Sequence, residues 1–185
     1  MEPLKIYLAD LTYNTVSIAN EAFPLNIGYV GAYCKERFGP RVELTLFKYI
    51  DDLENSIQSA PPDILALSNY PWNYALDLAL FERMRDVNPG TLRIMGGSNI
   101  SHEAQLQSDF LMENAVVDVY VYLEGEVGFS NIVERVLQDE EPNLERAFIK
   151  GSPIGGCLFI DSAGKFVRGQ PVPRLKALDD YPSPY

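Results

Sequence analysis

The sequence predicts an α/β domain: a flavodoxin/Rossmann-like, doubly wound, five-stranded parallel sheet in the order 2-1-3-4-5, with a small C-terminal β-hairpin. Three observations carry that prediction. Short apolar runs alternate five times with segments of helical period, which is the signature of parallel strands joined by right-handed helical crossovers. The run Ile64–Leu67 is apolar at every position, as a central strand covered on both faces must be. The segments that follow the strands are rich in Gly, Ser and Asn, the residues of tight strand-to-helix loops.

The elements follow in order. Leu4–Ala9 reads as a buried strand ending at Asp10, and a polar loop runs from Thr12 to Glu21. Pro24 opens a helix over Leu25–Phe38, since the N–H it lacks would be unpaired in a first turn, and Gly39-Pro40 stops it. Val42–Phe47 alternates as an edge strand does. Asp51–Ser59 is a short helix halted by Pro61-Pro62. The central strand Ile64–Leu67 leads to helical spacing over Trp72–Val87 and a turn at Asn88-Pro89-Gly90. Leu92–Met95 is the fourth strand and ends in Gly96-Gly97; His102–Glu113 is helical with Ser101 as its cap. Val116–Val121 and Gly125–Gln138 complete the fifth unit. Gly156–Ile160 and Lys165–Arg168, joined by Asp161-Ser162-Ala163-Gly164, form the hairpin. The expected division is residues 1–140 as the sheet domain and 141–185 as hairpin and linker, the proline-punctuated tail from Pro171 having no core of its own.

Composition narrows the function. The 185 residues carry a formal net charge of -11, which argues against a nucleic-acid backbone or an anionic membrane as partner. Cys34 and Cys157 are isolated, so neither a disulfide framework nor an iron–sulfur cluster is expected within these residues, and a cytoplasmic location fits. No stretch of about 20 apolar residues is present, and Met1–Asp10 does not read as a signal peptide. There is no GxSxG elbow, no GxxxxGK[ST] phosphate loop and no paired metal-ligand motif, and the single histidine cannot build a His-based zinc site. No catalytic set emerges, and a complete enzyme is not expected.

In open parallel sheets the ligand lies outside the carboxyl ends of the strands, at the point where strand order switches. Four loops meet there: Asp10-Leu11-Thr12-Tyr13-Asn14, Ser68-Asn69-Tyr70-Pro71-Trp72-Asn73, Gly96-Gly97-Ser98-Asn99 and Glu124-Gly125-Glu126. Small residues admit a ligand to the backbone, amides and hydroxyls offer neutral hydrogen bonds, and rings offer flat apolar area. That set suits a large, mostly uncharged organic molecule better than a bare phosphate. Each piece also has a plainer reading. Gly96-Gly97 can be only a tight turn, Ser68 a cap, Trp72 a core anchor, Glu124 and Glu126 complements to a helix dipole, and His102 and Asp51-Asp52 solvated helix starts.

The order of these signals resembles a known family. Ser68 at the end of strand three and Gly96-Gly97 at the end of strand four are similar to the serine and diglycine signals of cobalamin (vitamin B12)-binding domains. The longer string is more specific: Pro24-Leu25-Asn26-Ile27-Gly28-Tyr29-Val30, Asp63–Ser68 with Tyr70 and Trp72-Asn73, Gly96-Gly97, Glu124-Gly125-Glu126, a hairpin, and Asp179-Asp180-Tyr181-Pro182-Ser183-Pro184-Tyr185. It resembles the N-terminal cobalamin-binding domain of cobalamin-dependent radical S-adenosylmethionine (SAM) enzymes. The resemblance implies a corrin lying flat over the strand ends and a nucleotide tail entering between the sheet and the first and last helices. Ser68 would bond the tail's base, and Gly96 and Gly97 would let the tail pass. Leu11, Thr12, Tyr13, Asn14, Ile27, Gly28, Asn69, Tyr70, Trp72, Asn73, Ser98, Asn99, Glu124, Gly125 and Glu126 complete the implied cofactor-binding set.

The DxHxxG signature of classical cobalamin-binding domains, whose histidine ligates cobalt from below, is missing, because no histidine lies between Asp10 and Pro24; the radical-type members that the chain resembles commonly lack it too. No lower histidine ligand from this chain is expected. The resemblance further implies a radical SAM catalytic domain in cis, holding the iron–sulfur cluster and S-adenosylmethionine, and an overall reaction of methyltransferase type. Two alternatives stand beside it: a domain that keeps the fold but not the cobalamin and serves structure or interaction, and a flavin- or nucleotide-binding domain.

Overall fold

The computed structural model describes residues 2–12, 23–174, 177 and 181–184. The elements are β1 (Leu4–Thr12), α1 (Leu25–Phe38), a 3-10 turn (Gly39–Arg41), β2 (Val42–Tyr49), α2 (Ile50–Ser59), β3 (Ile64–Ser68), α3 (Tyr74–Val87), β4 (Leu92–Gly96), α4 (Ala104–Glu113), β5 (Val119–Val121), α5 (Gly125–Val136), α6 (Arg146–Ile149), β6 (Cys157–Ile160) and β7 (Phe166–Arg168). They form one sheet in the order β2-β1-β3-β4-β5-β6-β7. The first five strands are parallel and show the expected 2-1-3-4-5 order.

Strand alternation divides the core into two layers. Ile6, Leu8, Ile64, Ala66, Ile94, Val119 and Val121 face α1 and α5, where Ile27, Cys34, Phe129, Ile132 and Val133 meet them. Tyr7, Ala9, Leu65, Leu67, Met95 and Tyr120 face α2, α3 and α4, against Leu53, Phe81, Met84 and Leu111. A one-residue slip of any strand would exchange the two sets, so burial on both faces fixes the register.

The hairpin settles on the sheet edge. β6 pairs antiparallel with β5 (Tyr120 opposite Leu158, Val121 opposite Cys157), and β7 pairs with β6. Its entry is pressed against α5. A Cβ on Gly128 would lie 2.7 Å from Val121 Cγ1 and 3.2 Å from Gly156 O, and Gly156 has φ +76. Only glycine permits both that backbone conformation and that approach.

Several boundaries differ from the sequence expectation. α3 begins at Tyr74 instead of Trp72, because Asn73 holds a turn ahead of it: its Oδ1 accepts from Tyr70 N (2.8 Å) and its Nδ2 donates to Ser68 O (2.8 Å). α4 begins at Ala104 instead of His102; Ser101 Oγ accepts from Glu103 N at 3.1 Å within the preceding loop. β5 is shorter than Val116–Val121, since Val117 N donates to Asn114 O in a turn. α6 carries no sequence signal strong enough to place it, being four residues long.

The amino ends of the strands are closed by ionic groups. Asp118 accepts from Arg93 N, Nε and Nη2 at 2.9, 3.0 and 3.1 Å, and from Arg146 Nε and Nη2 at 3.2 and 3.1 Å. Burial pushes the Asp118 carboxyl up, but the hydrogen bonds from Arg93 and Arg146 more than reverse that and hold it below the ordinary carboxylate value.

Candidate functional site

At the opposite end the strands stop at Thr12, Ser68, Gly96 and Val121, and the chain leaves β3 and β4 through loops that hold one another in place. Asn69 is fully buried. Its Nδ2 donates to Asn99 O and Tyr120 Oη, both at 3.2 Å, while its Oδ1 accepts from Asn99 Nδ2 at 3.1 Å. Tyr120 Oη donates to Gly97 O at 3.0 Å. The loops after β3 and β4 are thereby joined. Gly97 sits at φ +125, and a Cβ there would meet Asn69 O at 2.7 Å, so this position needs glycine for the fold itself. Gly96 is different: its Cβ would meet nothing closer than Val121 O at 3.4 Å, an ordinary contact.

A cleft of ≈ 440 Å³ opens over these ends and descends between the sheet and α1/α5. Its floor is the sheet face Leu8, Ala66, Ile94 and Val121; its walls are Ile27 and Val30 from α1 and Gly125 and Phe129 from α5. The mouth carries Ser68, Tyr70, Gly97, Ser98, Glu124 and Glu126. Apolar depth with a few polar groups at the opening, at this size, is the usual make-up of a small-molecule site.

Of the residues expected to bind, the structure brings Ile27, Ser68, Tyr70, Gly96, Gly97, Ser98, Glu124, Gly125 and Glu126 together on this cleft. Leu11, Thr12, Gly28, Asn69, Trp72, Asn73 and Asn99 do not line it. Leu11 is buried in the α2/α3/α4 layer, and Thr12 pairs with Tyr49 at the end of β1. Gly28 faces Phe23 and Pro184. Asn69, Asn73 and Asn99 spend their amides on the loops' own backbone and on each other. Trp72 is 58% exposed, which corrects its reading as a core anchor. It stacks on Tyr70 with centroids 4.5 Å apart and planes 7° apart, forming a two-ring shelf beside the mouth. Tyr13 and Asn14, with the polar loop around them, lie outside the described residues, as do Asp179, Asp180 and Tyr185.

Sequence reasoning missed the floor, although the period-2 alternation of β1, β3, β4 and β5 places Leu8, Ala66, Ile94 and Val121 on one face. It also missed Asn26, Ile100, His102, Gln107, Tyr122 and Leu123, all of which line the cleft. Leu123 adopts φ 64, the only non-glycine residue with positive φ among those described.

The polar chemistry of the site is specific. Ser68 Oγ donates to Asp10 Oδ1 at 2.6 Å, so its single proton is engaged and only its acceptor capacity is left. Burial pushes the Glu126 carboxyl up, its own backbone N–H holds it partly back, and neighbouring Glu124 raises it further. Glu124 pairs with Arg174 at 3.3 Å. No lysine or arginine is among the described lining residues. Asp77, in the first turn of α3 just below, is fully buried with no hydrogen-bond partner on either oxygen; burial and then the nearby Asp10 charge push its carboxyl up to about 8. Among the described residues no group of three His, Cys, Asp or Glu side chains could hold a metal ion.

The family model described as "B12 binding domain" matches residues 12–133. The chain belongs to the B12-binding domain family. The matched span runs from the end of β1 into α5 and so contains every strand end around the cleft.

Two curated relatives align with 124 residues, 67% of the chain: a 2-(S-pantetheinyl)-carbapenam-3-carboxylate methyltransferase of Streptantibioticus cattleyicolor at 32% identity and the cobalamin-dependent radical SAM methyltransferase TokK of Streptomyces tokunonensis at 30%. The aligned stretch is 16% of each relative's length. Among solved structures, the cobalamin-dependent S-adenosylmethionine radical enzyme OxsB, with aqua-cobalamin and S-adenosylmethionine bound, matches with a TM-score of 0.66 at 14% identity, covering 94% of this chain and 23% of that one. OxsB with aqua-cobalamin alone gives 0.66 at 15% identity. At these identities the structural matches establish a shared fold. This B12-binding domain is therefore built like one segment of a larger enzyme, and no described helix in it is long and apolar enough to cross a membrane.

The residues present suit such a cofactor. The cleft is deep, apolar and lined at its centre by Ala66 and Gly96, where a longer side chain would fill it. Asn26 Oδ1 and Gln107 Oε1, both on cleft-lining residues, have no hydrogen-bond partner.

Proposed function

We propose that this B12-binding domain holds cobalamin, with the nucleotide tail in the cleft between the sheet and α1/α5 and the corrin across the strand ends. The observation that carries the reading is the cleft itself, which lies beneath the switch point between the sheet and α1/α5 and is walled by small or apolar residues. Ala66 and Gly96 leave room for the tail, and Gly97 keeps the loop after β4 out of its path. Ser68 accepts from the tail in its present arrangement, and donates to the base only when it gives up Asp10. The Tyr70–Trp72 shelf and the Glu124–Glu126 turn flank the corrin. The loop after β1 supplies no histidine to the cobalt.

Bound cobalamin would supply a cobalt centre able to carry a methyl group. The chain's own residues would position it and exclude water from its tail. By analogy with the relatives, we place this domain in cis with a radical SAM catalytic domain that holds the iron–sulfur cluster and S-adenosylmethionine, within a methyltransferase acting in the cytoplasm.

The test is direct. The purified chain, mixed with hydroxocobalamin and passed through a desalting column, should retain the corrin absorbance at near one equivalent. Ala66→Phe, which grows into the cleft, should remove it while the far-ultraviolet circular dichroism is unchanged. A colourless wild-type protein would refute cobalamin binding and favour a purely structural role; a yellow protein as purified would point to a flavin.

A further inference from the structure

Gln107 is the least explained group on the cleft. It lies in α4, is 1% exposed and lines the cavity. Its Nε2 donates to Ser101 O at 2.8 Å, and its Oε1 is buried without a partner. The orientation of this amide is not interchangeable. A carbonyl only accepts, so the NH2 end must face Ser101 O and the oxygen must point away from it. Asn26 is a weaker case, because its Nδ2 contacts Tyr70 Oη at 3.2 Å and a hydroxyl serves equally as donor or acceptor. Gln107 therefore presents a fixed, unsatisfied acceptor, an arrangement that costs stability unless a donor arrives. The surroundings narrow the donor. With Glu126 at the mouth, Glu124 beside it paired to Arg174, and no lysine or arginine among the described lining, the lining favours a neutral ligand group over an anionic one.

Resting on the cobalamin reading, we infer that Gln107 Oε1 accepts a hydrogen bond from a neutral donor of the bound corrinoid, either a peripheral amide N–H of the ring or a sugar O–H of the nucleotide tail.

The experiment titrates the chain with hydroxocobalamin and with aquocyanocobinamide, which lacks the nucleotide, and follows the visible spectrum. Gln107→Met keeps length and removes the acceptor. It should weaken hydroxocobalamin about three- to tenfold, the span of one neutral hydrogen bond, with the apo-protein's Tm little changed. The same loss with cobinamide assigns the donor to a ring amide; a loss confined to hydroxocobalamin assigns it to the sugar. Wild-type affinity in Gln107→Met for both corrinoids overturns the inference while leaving the cobalamin reading intact. So does a loss that merely tracks a fall in apo Tm, since Gln107 would then serve only the loop through Ser101. A wild-type chain that binds neither corrinoid removes the reading and the inference together.

Discussion

The two ends of this sheet are built on opposite principles. At the amino end, Lys5 N donates to Asp63 Oδ2 at 2.8 Å, Thr91 Oγ1 to Pro62 O at 2.6 Å, and Arg93 and Arg146 converge on Asp118. At the carboxyl end the strands open into a cleft, and most of the described buried polar atoms without a partner collect there: Asn26 Oδ1, both Asp77 oxygens and Gln107 Oε1, against Arg93 Nη1 alone at the amino end. The difference teaches where the polar groups of the fold are satisfied and where they are not. One end ties the strands with charge-assisted bonds, and the other leaves polar groups without partners.

The comparison breaks most severely at Asp118. Asp118→Ala would leave Arg93 buried without its carboxylate, and removing one partner of a buried pair costs about 3–5 kcal/mol; urea denaturation should show that loss, and a change below 1 kcal/mol would deny the ion cluster its role. The next effect is in pH, and the two ends respond with opposite sign. Asp118 has a depressed folded pKa, so its contribution is present above the unfolded carboxylate value and is lost as pH falls through the folded one. Asp77 has a folded pKa raised to about 8, so the native state holds the extra proton and stability declines as pH rises from near 4 to about 8, then levels. The slope while one group titrates is at most about 1.4 kcal/mol per pH unit. Asp77→Asn should abolish the alkaline decline and be more stable than wild type at pH 9, as read from thermal melts across pH; parallel curves for the two proteins would show that Asp77 is not the group responsible. The smallest effect on the fold belongs to Trp72. Trp72→Ala should change unfolding free energy by no more than about 0.5 kcal/mol, because the ring is exposed, yet weaken hydroxocobalamin retention measurably. Retention equal to wild type would take the aromatic shelf out of the site.

How much of this could be read in the sequence follows from which interactions are local. The five parallel strands and their order were legible because Ile64–Leu67 is apolar throughout and helical spacing alternates with the short apolar runs, whereas β1 runs past the expected Leu4–Ala9 to Thr12, which pairs with Tyr49 across the sheet. Ser68, Gly96 and Glu124–Glu126 were legible as strand-end residues. Asn69 and Asn73 were correctly placed on the loop, but their inward direction depends on Tyr120, Asn99 and Ser68 across the fold, which no local pattern reports. Gln107 was invisible for the same reason: one glutamine on a helix reads as solvent-facing until Ser101 O and the cleft are set beside it. The Arg93–Asp118–Arg146 cluster joins residues from three separate segments, and Arg93 alone reads as an interruption in an apolar strand.

The hairpin met at the sheet edge has one more consequence. Because Gly128 of α5 rests on the backbone of Gly156, the spacing between that helix and the hairpin entry is set by two hydrogen-sized side groups. Phe129 and Gly125 ride on the same helix, so the hairpin entry acts as a shim that gauges the width of the slot on the far side of α5. Residues after 140, none of which is among the described lining of the slot, thus bear on its width through α5.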